Sequence, residues 1–253
     1  MPLTTIEVES IYKSGGQRLP LPARMAHCTP DMKVAIQTVA AELRARAGHL
    51  YLSDLFRSYD MQLQSHLDYV NGKKSAYSPP PGGSMHEAGR AFDLDLDALG
   101  ISLADFWPIA KVAGLTPIVA KPISSLKESW HFDCRGSHGL VYSYYASNKG
   151  TNMKPYQAMA ASAILSIGVK VDRFGPNQQA AAIQSALIRL GHELGNIDGS
   201  LGTKSQKALA DEGIPFSDPA TMLPSLQQRI DMKFPNESGI IELHDEVPEH
   251  VNI

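Results

Sequence analysis

The chain has 253 residues, 43% of them hydrophobic and 19% charged, with 23 Lys+Arg against 26 Asp+Glu for a formal net charge of −3. That supplies apolar material for one or two packed domains and is not the composition of a disordered chain. A balance near zero excludes nucleic-acid binding through a general basic field.

The two cysteines, Cys28 and Cys134, exclude a tetrathiolate zinc site and a disulfide-dense scaffold, leaving open one bridge or two free thiols. The opening residues MPLTTIEVES lack the basic and apolar regions of a secretory signal. No run approaches the roughly 18 apolar residues that span a bilayer. The expectation is a soluble chain made in the cytoplasm, with no membrane or nucleic-acid partner. If it works outside, it leaves by a route other than an obvious signal peptide. Charge is uneven: residues 1–150 hold 15 Lys+Arg and 14 Asp+Glu, residues 151–235 hold 8 and 7, and the last 18 residues hold five acids and no Lys or Arg.

In chain order, residues 31–48 read as an amphipathic helix through Val34, Val39 and Leu43, stopped by Gly48. Leu50 to Phe56 reads as a short strand, and residues 59–70 as a polar helix. Residues 71–84, NGKKSAYSPPPGGS, form a loop of the length that is often functional. RAFDLDL, from Arg90 to Leu96, alternates as a strand would, which places Asp93, Asp95 and Asp97 on one face. A helix over 102–113 and strands over 115–119 and 129–133 follow. Residues 146–155 form a polar break, after which the pattern to 235 is helical. The predicted class is α+β. A small, mainly antiparallel sheet with flanking helices occupies 1–148, a small all-α three-helix domain occupies 149–235, and an acidic flexible tail occupies 236–253.

Two short stretches carry chemistry: Ser84-Met-His86-Glu-Ala-Gly89-Arg-Ala91-Phe-Asp93 and Glu128-Ser-Trp130-His131. His86, Asp93 and His131 offer two imidazoles and one carboxylate, a donor set that suits a catalytic zinc ion with one position left for water. Glu128, three residues before His131, is placed to move a proton beside such an ion without binding it.

The pattern S-x-H-x-x-G-x-A-x-D, followed 35 residues later by E-x-W-H, resembles the zinc D-alanyl-D-alanine carboxypeptidase and endopeptidase family. That group includes vancomycin-resistance peptidases and several phage endolysins, and the resemblance spans about residues 50–135. It implies one zinc ion on His86, Asp93 and His131, with Glu128 as the catalytic base. The family also carries a segment like Y-R-S-x-x-x-Q. Here it reads Phe56-Arg57-Ser58-Tyr59-Asp60-Met61-Gln62, with Phe in place of Tyr. The resemblance makes Arg57 the group that stabilises the oxyanion. Gln62 then orients Arg57 or the neighbouring loop, Ser84 bonds backbone or substrate near the metal, and Trp130 is a cleft wall or a core residue. Asp95 and Asp97 either orient a ligand imidazole or are simply solvated, and Asp133 and His138 are candidates to line the cleft.

Residues 177–210 resemble the peptidoglycan-binding type 1 domain. Ile183-Gln184, Leu187, Leu190-Gly191, Gly195, Asp198-Gly199 and Leu201-Gly202 match its pattern, while Leu201 and Ser205 stand where Phe and Thr are usual. Asp198 and its neighbours are the candidate wall-binding residues. The alternative is a helical packing module.

Together the resemblances imply a zinc-dependent peptidase acting on peptidoglycan stem peptides or cross-links as a carboxypeptidase or endopeptidase. A holin, a secretion apparatus or an immunity protein would be its further partners. Two other readings stay open: a catalytically silent wall-binding protein, and a zinc amidohydrolase on a non-wall substrate.

Overall fold

The computed structural model describes residues 3–239. Strands β1 (Thr4–Thr5) and β4 (His27–Cys28) form a small antiparallel pair. The main sheet takes β2 (Glu9–Ser14), β3 (Gln17–Pro20), β5 (Leu52–Asp54), β6 (Ala91–Leu94), β7 (Leu115–Pro117) and β8 (His131–Cys134) in the order β3-β2-β5-β6-β8-β7. Only the β2–β5 pair is parallel, so the sheet is mixed. The helices of the first half are α1 (Pro30–Arg44), α2 (Tyr59–Val70), α3 (Leu103–Val112) and α4 (His138–Ala146). The second half, described from α5 (Pro155–Ser166) through α6 (Gln178–Leu190), α7 (Thr203–Asp211) and α8 (Pro219–Lys233) to α9 (Pro235–Ser238), is helical. The α+β class therefore holds.

The two-residue period of β6 and β8 sorts their side chains. Phe92 and Phe132 point to one face, where Phe106 of α3 meets Phe132 edge-on at 5.1 Å. Helix α1 closes the same core with Met32, Ala35, Ile36, Val39 and Leu43. These fall at helical spacing, one turn apart. Val34, expected in that stripe, is 58% exposed, because it lies on the opposite side of the helix from the buried positions. Ala91, Asp93, His131 and Asp133 point to the opposite face.

That opposite face packs against the second half. Met85, Ala88 and Ala91 share one apolar core with Tyr144 and Tyr145 of α4, Met159 and Ile164 of α5, and Ile188 of α6. The Tyr144 and Tyr145 hydroxyls accept hydrogen bonds from the backbone N–H groups of Gly195 (2.7 Å) and Ile197 (2.8 Å). The boundary drawn at 148 thus falls between α4 and α5, inside a continuous core. Helices α6, α7 and α8 do gather a separate apolar cluster around Leu187, Leu209 and Leu226. The helical half is larger than the three helices expected, since α5 and α9 flank that bundle.

A buried ion network crosses the seam. Arg90 bonds the Cys134 carbonyl (3.0 Å), Thr29 Oγ1 (3.2 Å) and Asp31. Arg189 of α6 bonds Ser137 Oγ at 2.7 Å and Glu237 of α9 at 2.8 Å, and Glu237 also receives the Ser137 backbone N–H. Gly136 makes room: a Cβ there would sit 2.4 Å from the Arg90 guanidinium and 2.6 Å from Glu237. Glu237, counted with the acidic tail in the sequence, is 4% exposed, because two buried guanidinium groups need its charge. The rest of that predicted tail, 240–253, lies outside the described residues. Cys28 and Cys134 are free, buried thiols, and burial pushes Cys28 up to about 12.

Removing one partner of a buried ion pair strands the other. Glu237→Ala is expected to lower unfolding stability by about 3–5 kcal/mol, with Glu237→Gln losing less. Urea unfolding followed by circular dichroism measures both. Unchanged midpoints would mean that the network does not hold the seam.

Candidate functional site

The site grows from three local structures. Ser84 starts a 3₁₀ turn over Met85–Ala88 through a capping box, with Glu87 returning its carboxylate to the Ser84 backbone N–H at 3.1 Å. Glu87 also accepts from Gly82 N–H at 2.9 and 3.0 Å, which pins the end of the 71–84 loop. Gly89 ends the turn at φ 62°, and a Cβ there would lie 2.9 Å from the Cys28 Cα. A side chain at Gly89 is therefore excluded by both backbone conformation and space. The turn carries His86 inward, buried, with Nδ1 bonded to the Leu55 carbonyl at 2.8 Å. That bond assigns the proton to Nδ1 and leaves Nε2 free, 3.4 Å from Asp93 Oδ1.

The antiparallel register of β6 and β8 places Asp93 directly opposite His131. His131 Nδ1 lies 2.9 Å from Asp93 Oδ1, and its Nε2 donates to Asp133 Oδ1 at 2.9 Å. The potential ligand atoms of His86, Asp93 and His131 all lie within 4.8 Å of one another. These three residues could hold a metal ion, and the donor set suits zinc. The electrostatics agree. Burial works against a charged His131, but its hydrogen bonds to Asp133 and Asp93 hold it up to about 10. Burial also opposes ionisation of Asp93, yet the neighbouring His86 and His131 draw it well below the usual carboxylate range. Both shifts mark the space between these three residues as one that favours positive charge.

Arg57 stands beside this group. Its guanidinium bonds Asp54 Oδ2 through Nε and Nη2, both at 2.6 Å, bonds Gln62 Oε1 at 3.2 Å, and lies 3.6 Å from Asp93 Oδ2. Gln62 is fully buried and gives its amide to Ser78 Oγ (3.0 Å) and the Pro79 carbonyl (2.6 Å). It therefore couples Arg57 to the loop. Glu128 sits at φ 67°, a left-handed backbone rare for a residue other than glycine, and its buried Oε1 has no hydrogen-bond partner among the described residues. Burial and the nearby Asp93 both raise its pKa.

His86, Asp93, His131, Arg57 and Glu128 open into one cleft of about 1070 Å³. Ser84 and Trp130 line it, as do Lys74 of the loop and Met153, Tyr156, Gln157 and Arg173 of the helical half. Tyr59 and Asp172, 2.6 Å apart, tie the two walls together. Asp198 lies elsewhere. It is exposed, and its Oδ1 accepts from Gln184 Nε2 and Ser200 N–H, both at 2.9 Å, while Gln184 Oε1 accepts the Asp198 and Gly199 N–H groups. The matched Gln and Asp-Gly thus shape their own loop.

The second carboxylate on His131 is Asp133, not Asp95 or Asp97. The strand ends at Leu94 and a 3₁₀ turn over Leu96–Ala98 turns the chain away, leaving Asp95 to cap that turn and face Arg18 at 3.9 Å. Asp133 is fully buried behind His131 rather than lining the cleft. Its position two residues along the same strand, hence on the same face, is a signal the sequence contained. His138 is also buried, bonded to Ser162 Oγ at 2.8 Å between α4 and α5. Asp54 and the Leu55 carbonyl had no sequence signature.

Two predictions follow from this geometry. Gly89→Ala is expected to lose at least about 1 kcal/mol of stability from backbone strain alone, read by thermal unfolding. In metal analysis His86→Ala and His131→Ala should lose any ion that the wild type takes up at this group, and Asp133→Ala should weaken its binding about 10–100-fold.

Compared with protein-family models and with curated proteins, the chain matches none. Among the described residues no helix is long and apolar enough to cross a membrane.

Proposed function

We propose that this chain is a zinc metallopeptidase that hydrolyses peptide bonds in bacterial peptidoglycan. The observation that carries this reading is the convergence of His86, Asp93 and His131 with a strained Glu128 and a doubly held Arg57 in one cleft. His86 Nε2, His131 Nδ1 and a carboxylate oxygen of Asp93 would hold the ion. When bound, zinc supplies Lewis acidity and brings the pKa of water from 15.7 toward roughly 7.

The protein's own groups do the rest. The unpartnered Oε1 of Glu128 takes the proton of the attacking water and passes it to the leaving amine nitrogen, a dual role that a raised carboxylate pKa suits. Arg57, fixed by Asp54 and Gln62, donates to the carbonyl oxygen as it gains negative charge. Its orientation is settled before reaction, so little reorganisation opposes that stabilisation. Trp130 and Ser84 face the substrate along the cleft walls.

The peptidoglycan assignment rests on the sequence resemblances: the two motifs of the first half and the wall-binding pattern of the second. The helical half also serves the cleft, through Tyr156, Gln157 and Arg173, so substrate binding and catalysis share one rigid body in this reading. A phage lysis enzyme released by a holin and an antibacterial effector with its immunity protein are the settings that fit.

Digestion of purified sacculi, read by mass spectrometry, tests the proposal. The wild type is expected to create new amine ends. Glu128→Ala is expected to lose about 10²–10⁴-fold in rate while retaining zinc. Equal activity in the variant, or no new ends from the zinc-loaded wild type, would overturn it. The product list separates terminal trimming from cross-link cleavage.

A further inference from the structure

We infer that Tyr156, on the helical half, is a positioning residue for the metal site: its hydroxyl holds Asp133, and Asp133 holds His131. The inference rests on the reading of His86, Asp93 and His131 as metal ligands.

Tyr156 sits in the first turn of α5, 25 residues beyond His131 and across the polar break. Its hydroxyl donates to Asp133 Oδ1 at 3.0 Å, the same oxygen that receives His131 Nε2–H at 2.9 Å. Asp133 is fully buried, and among the described residues its other oxygen, Oδ2, has no hydrogen-bond partner. The nearest cation to Oδ2 is Arg135, whose Nε lies 3.8 Å away. Every hydrogen bond that fixes the Asp133 side chain therefore falls on one oxygen, and Tyr156 supplies one of the two.

The consequence is geometric. A ligand imidazole is aimed by the bond its other nitrogen makes. His131 Nδ1 points at Asp93 because Nε2 is tied to Asp133. Without the phenol, the carboxylate keeps a single donor and can turn about its own bond, carrying the imidazole with it. His86 has no comparable dependence, since its Nδ1 is held by the backbone carbonyl of Leu55. The metal site is thus anchored by main chain on one side and, on the other, by a side chain from the second half. Removing or displacing that half would loosen the metal even with all three ligands intact.

The test compares wild type, Tyr156→Phe and Tyr156→Leu as metal-free proteins. Zinc affinity is measured by competition with a chromophoric chelator, and thermal unfolding is recorded without metal. The expected result is a loss of about tenfold in zinc affinity for both variants, the low end for an outer partner of a ligand. The metal-free unfolding temperature of Tyr156→Phe is expected to fall by less than that of Tyr156→Leu, since the ring still fills its space and only the hydrogen bond to the buried Asp133 is lost. The visible spectrum of the cobalt(II) form should change in Tyr156→Phe, reporting a moved His131. Wild-type zinc affinity and an unchanged cobalt spectrum in Tyr156→Phe, with a loss only in Tyr156→Leu, would reduce Tyr156 to packing and overturn the inference. A wild-type protein that takes up no zinc would instead overturn the metal reading itself, before any variant is compared.

Discussion

The pairing of β6 with β8 is the constraint on which the rest of this structure depends. Its register sets Asp93 against His131 and Ala91 against Asp133. A slip of one residue in β8 would turn His131 and Asp133 into the apolar core and bring Phe132 out. The packing of those phenylalanines against α1 and α3 therefore fixes the polar face as firmly as it fixes the core. On that face, charges lie too close together to be tolerated without compensation. Asp54, Arg57, Asp93, His131 and Asp133 form a chain of alternating sign in which each buried group is balanced by the next.

A second chain of alternating charge runs along the seam, through Asp31, Arg90, Glu237 and Arg189. It joins the start of α1 to the last described helix. It also joins the strand that carries Asp93 to α6, since Arg90 immediately precedes β6. The two networks flank β6 and β8, so the second half contributes directly to the rigidity of the cleft. This explains how a short sheet can hold several ionisable groups in fixed geometry: the surrounding helices exclude water and supply the opposing charges.

Much of the fold was legible in local pattern. Helix α2 appears where its sequence placed it, and α3 within a residue; Ser58 and Ser102 cap them, and in α3 the buried Leu103, Phe106 and Ala110 fall at helical spacing. Helix α1 ends four residues before the stop expected at Gly48. The strands were located but overextended. Asp95 and Asp97 continue an alternation that the backbone abandons after Leu94, since Asp95 caps a 3₁₀ turn instead. The N-terminal strands and the mixed character of the sheet had no such signature. They come from pairings between residues far apart in sequence, such as Ser10 with Leu52.

For the site, the sequence by itself determined the chemistry on offer: two imidazoles, a carboxylate between them, an acid three residues before the second imidazole, and an upstream arginine. It also placed Gly89 three residues after His86, where the chain must turn from loop to strand. Tertiary structure alone decided how those groups are aimed. The Leu55 carbonyl on His86 and Tyr156 on Asp133 are hydrogen bonds between residues 31 and 23 positions apart, which no helical or strand period brings together. It likewise decided that the helical half belongs to the cleft and that Glu237 belongs to the interior. Spacing along a chain fixes which side chains share a face; which face meets which is settled only when apolar cores close and buried charges must find their partners.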